Sequence, residues 1–253
     1  MIKQIPNIIT SLNLLSGCVA VLFAVTGDLI VAAVFVFMGI FFDFFDGLAA
    51  RLLNAQSEVG KQFDSLADLI TSGLVPGIVM MQLMTEASSG VGLEYFGGST
   101  TEVAWNASKA SLFPLTGLLI VLGSAYRLAK FNVDKRQSDH FIGLPTPANA
   151  LLILSLPLIL EFQYSAWVES IILNAWVLLA ITILSCVLLN AEINLFALKF
   201  RSWGFKENAK RYIFLLLSVV ILFFLKFAGI PVILGLYLLM SLFWRDKNIS
   251  EVT

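Results

Sequence analysis

Charge is scarce in this sequence: Asp, Glu, Lys and Arg make up 13% of its 253 residues, against about 25% in an average soluble domain. That deficit excludes a globule surrounded by water on all sides. The net charge of -1 names no partner by itself, and nothing in it calls for nucleic acid. Cysteine occurs twice, at Cys18 and Cys186. Two distant thiols, both inside apolar runs, make neither a disulfide framework nor a metal-ligand spacing, and they read as small buried hydrophobes. Histidine occurs once, at His140 in an expected loop, so no Ser-His or Cys-His nucleophile pair is on offer. Internal repeats, low-complexity segments and soluble domains are absent, and residues 1–253 read as one domain.

Apolar residues are abundant, at 58%, and they come in runs near the roughly 20 residues that a helix needs to cross a bilayer. The expected fold is all-α, a polytopic transmembrane bundle of about eight spans. These run Ile8 to Val25, Leu29 to Ala50, Asp64 to Met84, Leu112 to Ala129, Pro145 to Glu161, Val168 to Leu189, Tyr212 to Lys226, and Ala228 to Trp244. Between the last two, Gly229-Ile230-Pro231 marks either a tight turn or a kink. The first run lacks a convincing cleavage site after Gly17 and reads as a retained helix.

Cytoplasmic loops collect Lys and Arg. With the N-terminus inside, 14 of the 16 basic residues fall on the inner side, and only Lys109 and Lys226 fall outside. Asp28, Glu86, Glu94, Glu102, Glu161 and Glu169 fall on the outer side. Both termini are therefore expected in the cytoplasm, and the protein in the cell (inner or plasma) membrane. Trp105, Trp167, Trp203 and Trp244 fall at interfaces, as aromatic belts do. The basic, aromatic stretch from Ala191 to Arg211 reads as lying along the inner surface, either as an anchor or to gather anionic lipid.

Acids inside an apolar run are expensive and mark function. Asp43 and Asp46 close the second span, one helical turn apart, with Gly47 and Ala50 on their face and Arg51 next. A loop of about a dozen residues leads to Asp64 and Asp68, an i, i+4 pair preceded by Gly60. Facing each other on antiparallel helices, four carboxylates repel and need a cation. Hard oxygens suit Mg²⁺ or Mn²⁺, and four carboxylates can hold two ions. Small residues let a phosphate-sized group approach a helix, although the same positions serve helix packing, Gly60 in particular. A cation-transport path is the other reading of the acids.

The full string D-x2-D-G-x2-A-R-x8-G-x3-D-x3-D over residues 43–68 resembles the signature of the CDP-alcohol phosphotransferases, with every fixed position filled. The resemblance implies two divalent ions, with Asp43 and Asp64 touching both, Asp46 one and Asp68 the other. It implies Asp68 as general base, and Asp46, Gly47, Ala50, Arg51 and Gly60 around the CDP group. Asn7 and Thr10 resemble first-helix residues near the nucleotide, although both types also suit a helix start. A homodimer is implied as well. The reaction expected is direct displacement of CMP by an alcohol, without a covalent intermediate.

The segments Arg127-Leu-Ala-Lys130-Phe131-Asn132 and Phe141-Ile-Gly143-Leu-Pro145-Thr-Pro147 resemble the phosphatidylserine synthase branch, which implies CDP-diacylglycerol and L-serine as substrates. Serine brings a carboxylate into an acidic site and needs a fixed cation. Arg127 offers a planar fork with Lys130 one turn below, and the likeness extends to Asn132, although both bases equally suit positive-inside anchors. Glycerol 3-phosphate and inositol phosphate are the alternative acceptors. An Asp-rich membrane prenyltransferase or a cation carrier are the alternatives from other classes.

Overall fold

The computed structural model describes residues 4–89, 112–134, 141–195 and 205–243. Helix α1 (Ile5–Val25) starts with a proline in its first turn and ends in a turn at Gly27, whose φ of 84° glycine adopts freely. The Asp28 side chain then accepts from Val31 N at 3.2 Å and caps α2 (Leu29–Leu52), so α1 and α2 form an antiparallel hairpin. The chain turns back through Asn54, and Ser57 caps α3 (Glu58–Asp68) by accepting from Gly60 N at 3.0 Å. Without a break, α3 passes through a π-helical turn (Leu69–Leu74) into α4 (Val75–Ser89).

A 3₁₀ turn (Phe113–Leu118) leads into α5 (Leu119–Val133), and α6 (Thr146–Phe162) follows. Helices α7 (Ala166–Ile172) and α8 (Ala175–Asn190) meet at a 56° bend, where Asn174 accepts from Trp176 N and Val177 N. Two-residue strands, β1 (Phe141–Ile142) and β2 (Asn194–Leu195), pair antiparallel and tie the entry of α6 to the exit of α8. The chain ends with α9 (Phe205–Leu225), a 3₁₀ turn (Lys226–Ala228) and α10 (Gly229–Phe243).

Among the described residues, four helical stretches are long and apolar enough to cross a membrane: Ile5–Val25, Leu29–Leu52, Glu58–Ser88 and Arg211–Leu242, the last running through both α9 and α10. The bent α7–α8 pair makes a fifth if taken as one span. Polarity is distributed as lipid demands. Leu15, Leu22, Val34, Leu122, Phe223 and Phe224 are exposed, while Asn13, Thr71, Ser124 and Asn149 are buried. The stretch 58–88 is the central one, with 67% of its apolar window buried against 11% for 211–242.

All eight expected segments are helical where described, with differences that have local causes. The third begins at Glu58, not Asp64, because Ser57 and Glu58 start a helix before hydrophobicity rises; the dozen-residue loop shrinks to 53–57. The sixth is broken at the Asn174 cap. Between α9 and α10, Lys226 adopts φ 48° and the chain folds back. A straight rod would put Phe214 and Tyr237 roughly 35 Å apart at 1.5 Å per residue. Their ring centroids are 5.6 Å apart, so α9 and α10 form a hairpin that turns at Lys226–Ala228, and Gly229-Ile230-Pro231 opens α10 immediately after the turn.

Trp167 is exposed, as an interfacial residue would be. Trp105, Trp203, Trp244, His140 and the charges Lys3, Glu94, Glu102, Lys109, Lys135, Arg136, Lys199, Arg201, Arg245 and Lys247 lie outside the described residues, as do positions 196–204 of the expected surface stretch.

Candidate active site

Helices α1, α2 and α3 bring the acids together at the end of the bundle where α2 stops and α3 starts. One carboxylate oxygen each from Asp43, Asp64 and Asp68 lies within 4.8 Å of the other two. Asp43 and Asp64 thus stand side by side, two carboxylates that repel unless a proton or a cation lies between them. Asp46 is buried beside this trio and accepts a hydrogen bond from the Thr10 hydroxyl at 2.6 Å. Asp68 accepts from Asn13 Nδ2 at 3.2 Å. Among the described residues, no Lys or Arg lies within ion-pair distance of these four acids; the ion pair found is Lys130 with Glu192 at 3.2 Å. Asp64 Oδ1 is buried without any partner. Clustered hard oxygens, an orphaned carboxylate oxygen and no base in ion-pair contact fit a divalent cation.

A cavity of about 890 Å³ opens beside the trio. It is lined by Asn7, Thr10, Asp46, Gly47, Ala50, Arg51 and Gly60, all seven residues expected near the CDP group, and by Asp43 and Asp64. A Cβ added to Gly47 would meet nothing within 4 Å, so this face of α2 is bare toward the cavity. Gly60 differs. A Cβ there would stand 3.0 Å from Ser57 Oγ and 3.3 Å from Asn7 Oδ1, so its smallness also serves the approach of α3 to α1. Arg51 is exposed at the rim, its Nε donating to Gly47 O at 3.0 Å.

The three expected acceptor residues are not gathered at one point. Arg127 is buried to 8% exposure, its Nε has no partner, and its charge acts on Asp68. Its guanidinium lies 5.9 Å from the Phe131 ring centroid. Lys130 instead pairs with Glu192. Asn132 donates to Ser65 Oγ at 2.9 Å and Gln62 Oε1 at 3.1 Å, while its carbonyl accepts from Lys61 Nζ at 2.9 Å. Asn132 thus locks the end of α5 onto α3.

Three polar residues here are not among the expected site residues, although Asn13 to Gly17 belongs to the stretch that resembles the phosphatidylserine synthase branch. Asn13 holds Asp68, Thr71 holds Asn13, and Lys61 lines the cavity. Asn7, Thr10 and Asn13 recur every third residue on a largely apolar helix, and that spacing is a signal for Asn13. Thr71 carries no such signal.

Apolar helices closing around an acid cluster that could hold a metal ion, beside a bare-walled cavity, point to an integral-membrane protein. This chain belongs to the CDP-alcohol phosphatidyltransferase family, whose sequence model matches residues 3–188. A protein of Bacillus subtilis named CDP-diacylglycerol–serine O-phosphatidyltransferase is 32% identical over 163 residues, covering 64% of this chain and 78% of its own. A Helicobacter pylori protein of the same name is 28% identical over 242 residues, covering 92% and 87%. An archaetidylserine synthase of Methanothermobacter thermautotrophicus is 31% identical over 153 residues, covering 60% and 56%.

Proposed function

We propose that this chain transfers the phosphatidyl group of CDP-diacylglycerol to the hydroxyl of L-serine, giving phosphatidylserine and CMP. The observation that carries this reading is the acid cluster, of which Asp43, Asp46 and Asp64 line a cavity together with all seven residues expected around the CDP group. The names of the relatives supply the acceptor.

Asp43, Asp46, Asp64 and Asp68 hold two divalent ions, Mg²⁺ or Mn²⁺. When bound, such ions neutralise the charge that accumulates on the departing phosphate. Asn7, Thr10, Gly47, Ala50 and Gly60 shape the seat of the cytidine diphosphate, and Arg51 meets its charge at the rim. The serine oxygen forms a bond to the lipid-side phosphorus while the bond from that phosphorus to CMP breaks. CMP leaves with the electron pair, and the serine proton passes to an Asp68 oxygen, help worth about 10²–10⁴ in rate. Arg127 takes the serine carboxylate, since its guanidinium is buried beside Asp68 with Nε unpartnered. Lys130 and Asn132 support it by holding α5 to its neighbours.

Eight spans, both termini in the cytoplasm and a site opening to that side accompany this reading; the fold-back between α9 and α10 and the basic bias of one set of loops support it. A homodimer in the plasma membrane is part of the same proposal.

The test is CMP release from CDP-diacylglycerol by purified protein with Mn²⁺ or Mg²⁺, offered serine, glycerol 3-phosphate and inositol phosphate separately. Serine-dependent release that vanishes in Asp68→Asn is expected. Release with another acceptor instead would discard the role given to Arg127, and release in Asp68→Asn at the wild-type rate would discard the base.

A further inference from the structure

We infer that Asn13 and Thr71 are a positioning pair that sets the Asp68 carboxylate for its cation. The inference rests on the metal-site reading above, but on residues outside the family signature. Both side chains are fully buried. The Thr71 hydroxyl donates to Asn13 Oδ1 at 2.8 Å. An amide whose oxygen is taken has only its NH₂ left to offer, and Asn13 Nδ2 donates to Asp68 Oδ1 at 3.2 Å. Were the amide reversed, its oxygen would face the Asp68 oxygen, so the acceptor-only carboxylate fixes the sense of the amide. The Thr71 hydroxyl, donating to the amide oxygen, holds the amide in place, and the amide sets the rotation of the carboxylate.

The backbone is shaped around this chain of contacts. Thr71 lies in the π-helical turn between α3 and α4, a widening frequently found at functional sites. Glycines flank it from two helices. A Cβ on Gly17 of α1 would collide with Thr71 Oγ1. One on Gly39 of α2 would stand 2.5 Å from Thr71 Cγ2 and 2.9 Å from Asn13 Oδ1. Three helices thus converge on one hydroxyl. The donor is also chemically apt. A lysine at position 13 would neutralise Asp68 and compete with the metal, whereas an amide orients the carboxylate and leaves its charge intact.

The experiment measures Mn²⁺ binding to the purified full-length protein without substrate, and CMP release alongside, for wild type, Thr71→Val and Thr71→Ser. Valine keeps the shape of threonine and removes only the hydroxyl. Loss of such an outer partner typically weakens metal affinity or turnover ~10–100-fold, so Thr71→Val is expected to lose that much in Mn²⁺ affinity and kcat. KM for CDP-diacylglycerol should stay at the wild-type value, and Thr71→Ser should restore both losses. Asn13→Leu combined with Thr71→Val should lose no more than Asn13→Leu alone, because both act through one carboxylate. Wild-type Mn²⁺ affinity in Thr71→Val, or equal impairment in Thr71→Ser, would overturn the pair. Because binding is read without substrate, the result stands even if serine proves to be the wrong acceptor.

Discussion

Arg127 is the residue whose environment argues most plainly for a ligand. A buried guanidinium whose Nε has no hydrogen bond is costly, since an N–H taken from water without a partner is a loss of about 1–3 kcal/mol or more. The structure offers it only the Phe131 ring and the charge of Asp68 in return. Replacing an ionic group in an interior by an apolar one of similar size is often neutral or stabilising. Arg127→Leu is therefore expected to unfold at the wild-type temperature or above, with Mg²⁺ present to neutralise the acids. A charge-assisted hydrogen bond is worth roughly 1.5–3 kcal/mol, so the same variant should raise KM for serine at least about tenfold. KM for CDP-diacylglycerol, whose cavity Arg127 does not line, should be unaffected. Thermal unfolding and steady-state kinetics on one preparation check both halves; a variant that loses stability and leaves serine KM untouched would make Arg127 a structural residue. Residue by residue, the acids were legible because four carboxylates in apolar sequence cost too much to be kept for packing. The partners that orient them were not: Thr71 and Asn13 are 58 positions apart, and the hydroxyl of one threonine looks like any other in a membrane helix.

At the scale of elements, the helices were legible from apolar runs, while their ends and crossings depended on chemistry that hydropathy does not weigh. The start of α3 is set by the Ser57 cap, which places Gly60 inside the first turn and walls one side of the cavity. The strand pair β1–β2 could not be foreseen, because Phe141 pairs with Leu195 across a helical hairpin and neither segment alternates in polarity. The π turn had no sequence mark either. One crossing is unusually close. A Cβ on Gly117, in the 3₁₀ turn before α5, would lie 2.7 Å from Met81 N and 3.1 Å from Met80 C, which are backbone atoms of α4 that cannot step aside. Overpacking of this kind typically costs about 1–3 kcal/mol. Gly117→Val should lower the unfolding temperature accordingly. The crossing is away from the cavity lining, so kcat of the folded fraction should remain near wild type. A fall in kcat without a fall in stability would mean that the α4–α5 crossing bears on the site.

Across the whole molecule, the uneven placement of charge resolves into one requirement. Carboxylates are gathered from α2 and α3 at one end of an apolar bundle, no base among the described residues stands within ion-pair distance of them, and α3 continues without a break into α4, whose residues form much of the buried core. Folding therefore brings together groups that repel. Removing the cation should loosen the bundle as a whole, because α1, α2 and α3 meet through these side chains. A ligand that binds only the folded state stabilises it by about 2.7 kcal/mol at one hundred times its Kd. Chelation with EDTA is expected to lower the unfolding temperature of the wild type, and millimolar Mn²⁺ or Mg²⁺ to raise it in a concentration-dependent way. Asp64→Asn makes the sign of this repulsion testable. Replacing one carboxylate by an amide removes repulsion as well as a ligand, so this variant should be more stable than the wild type in EDTA and should gain little from added metal. The two unfolding curves should therefore cross as the metal concentration rises. Parallel curves, with the variant less stable throughout, would mean that Asp64 holds the bundle by contacts of its own and that the acids are not strained against one another without a cation.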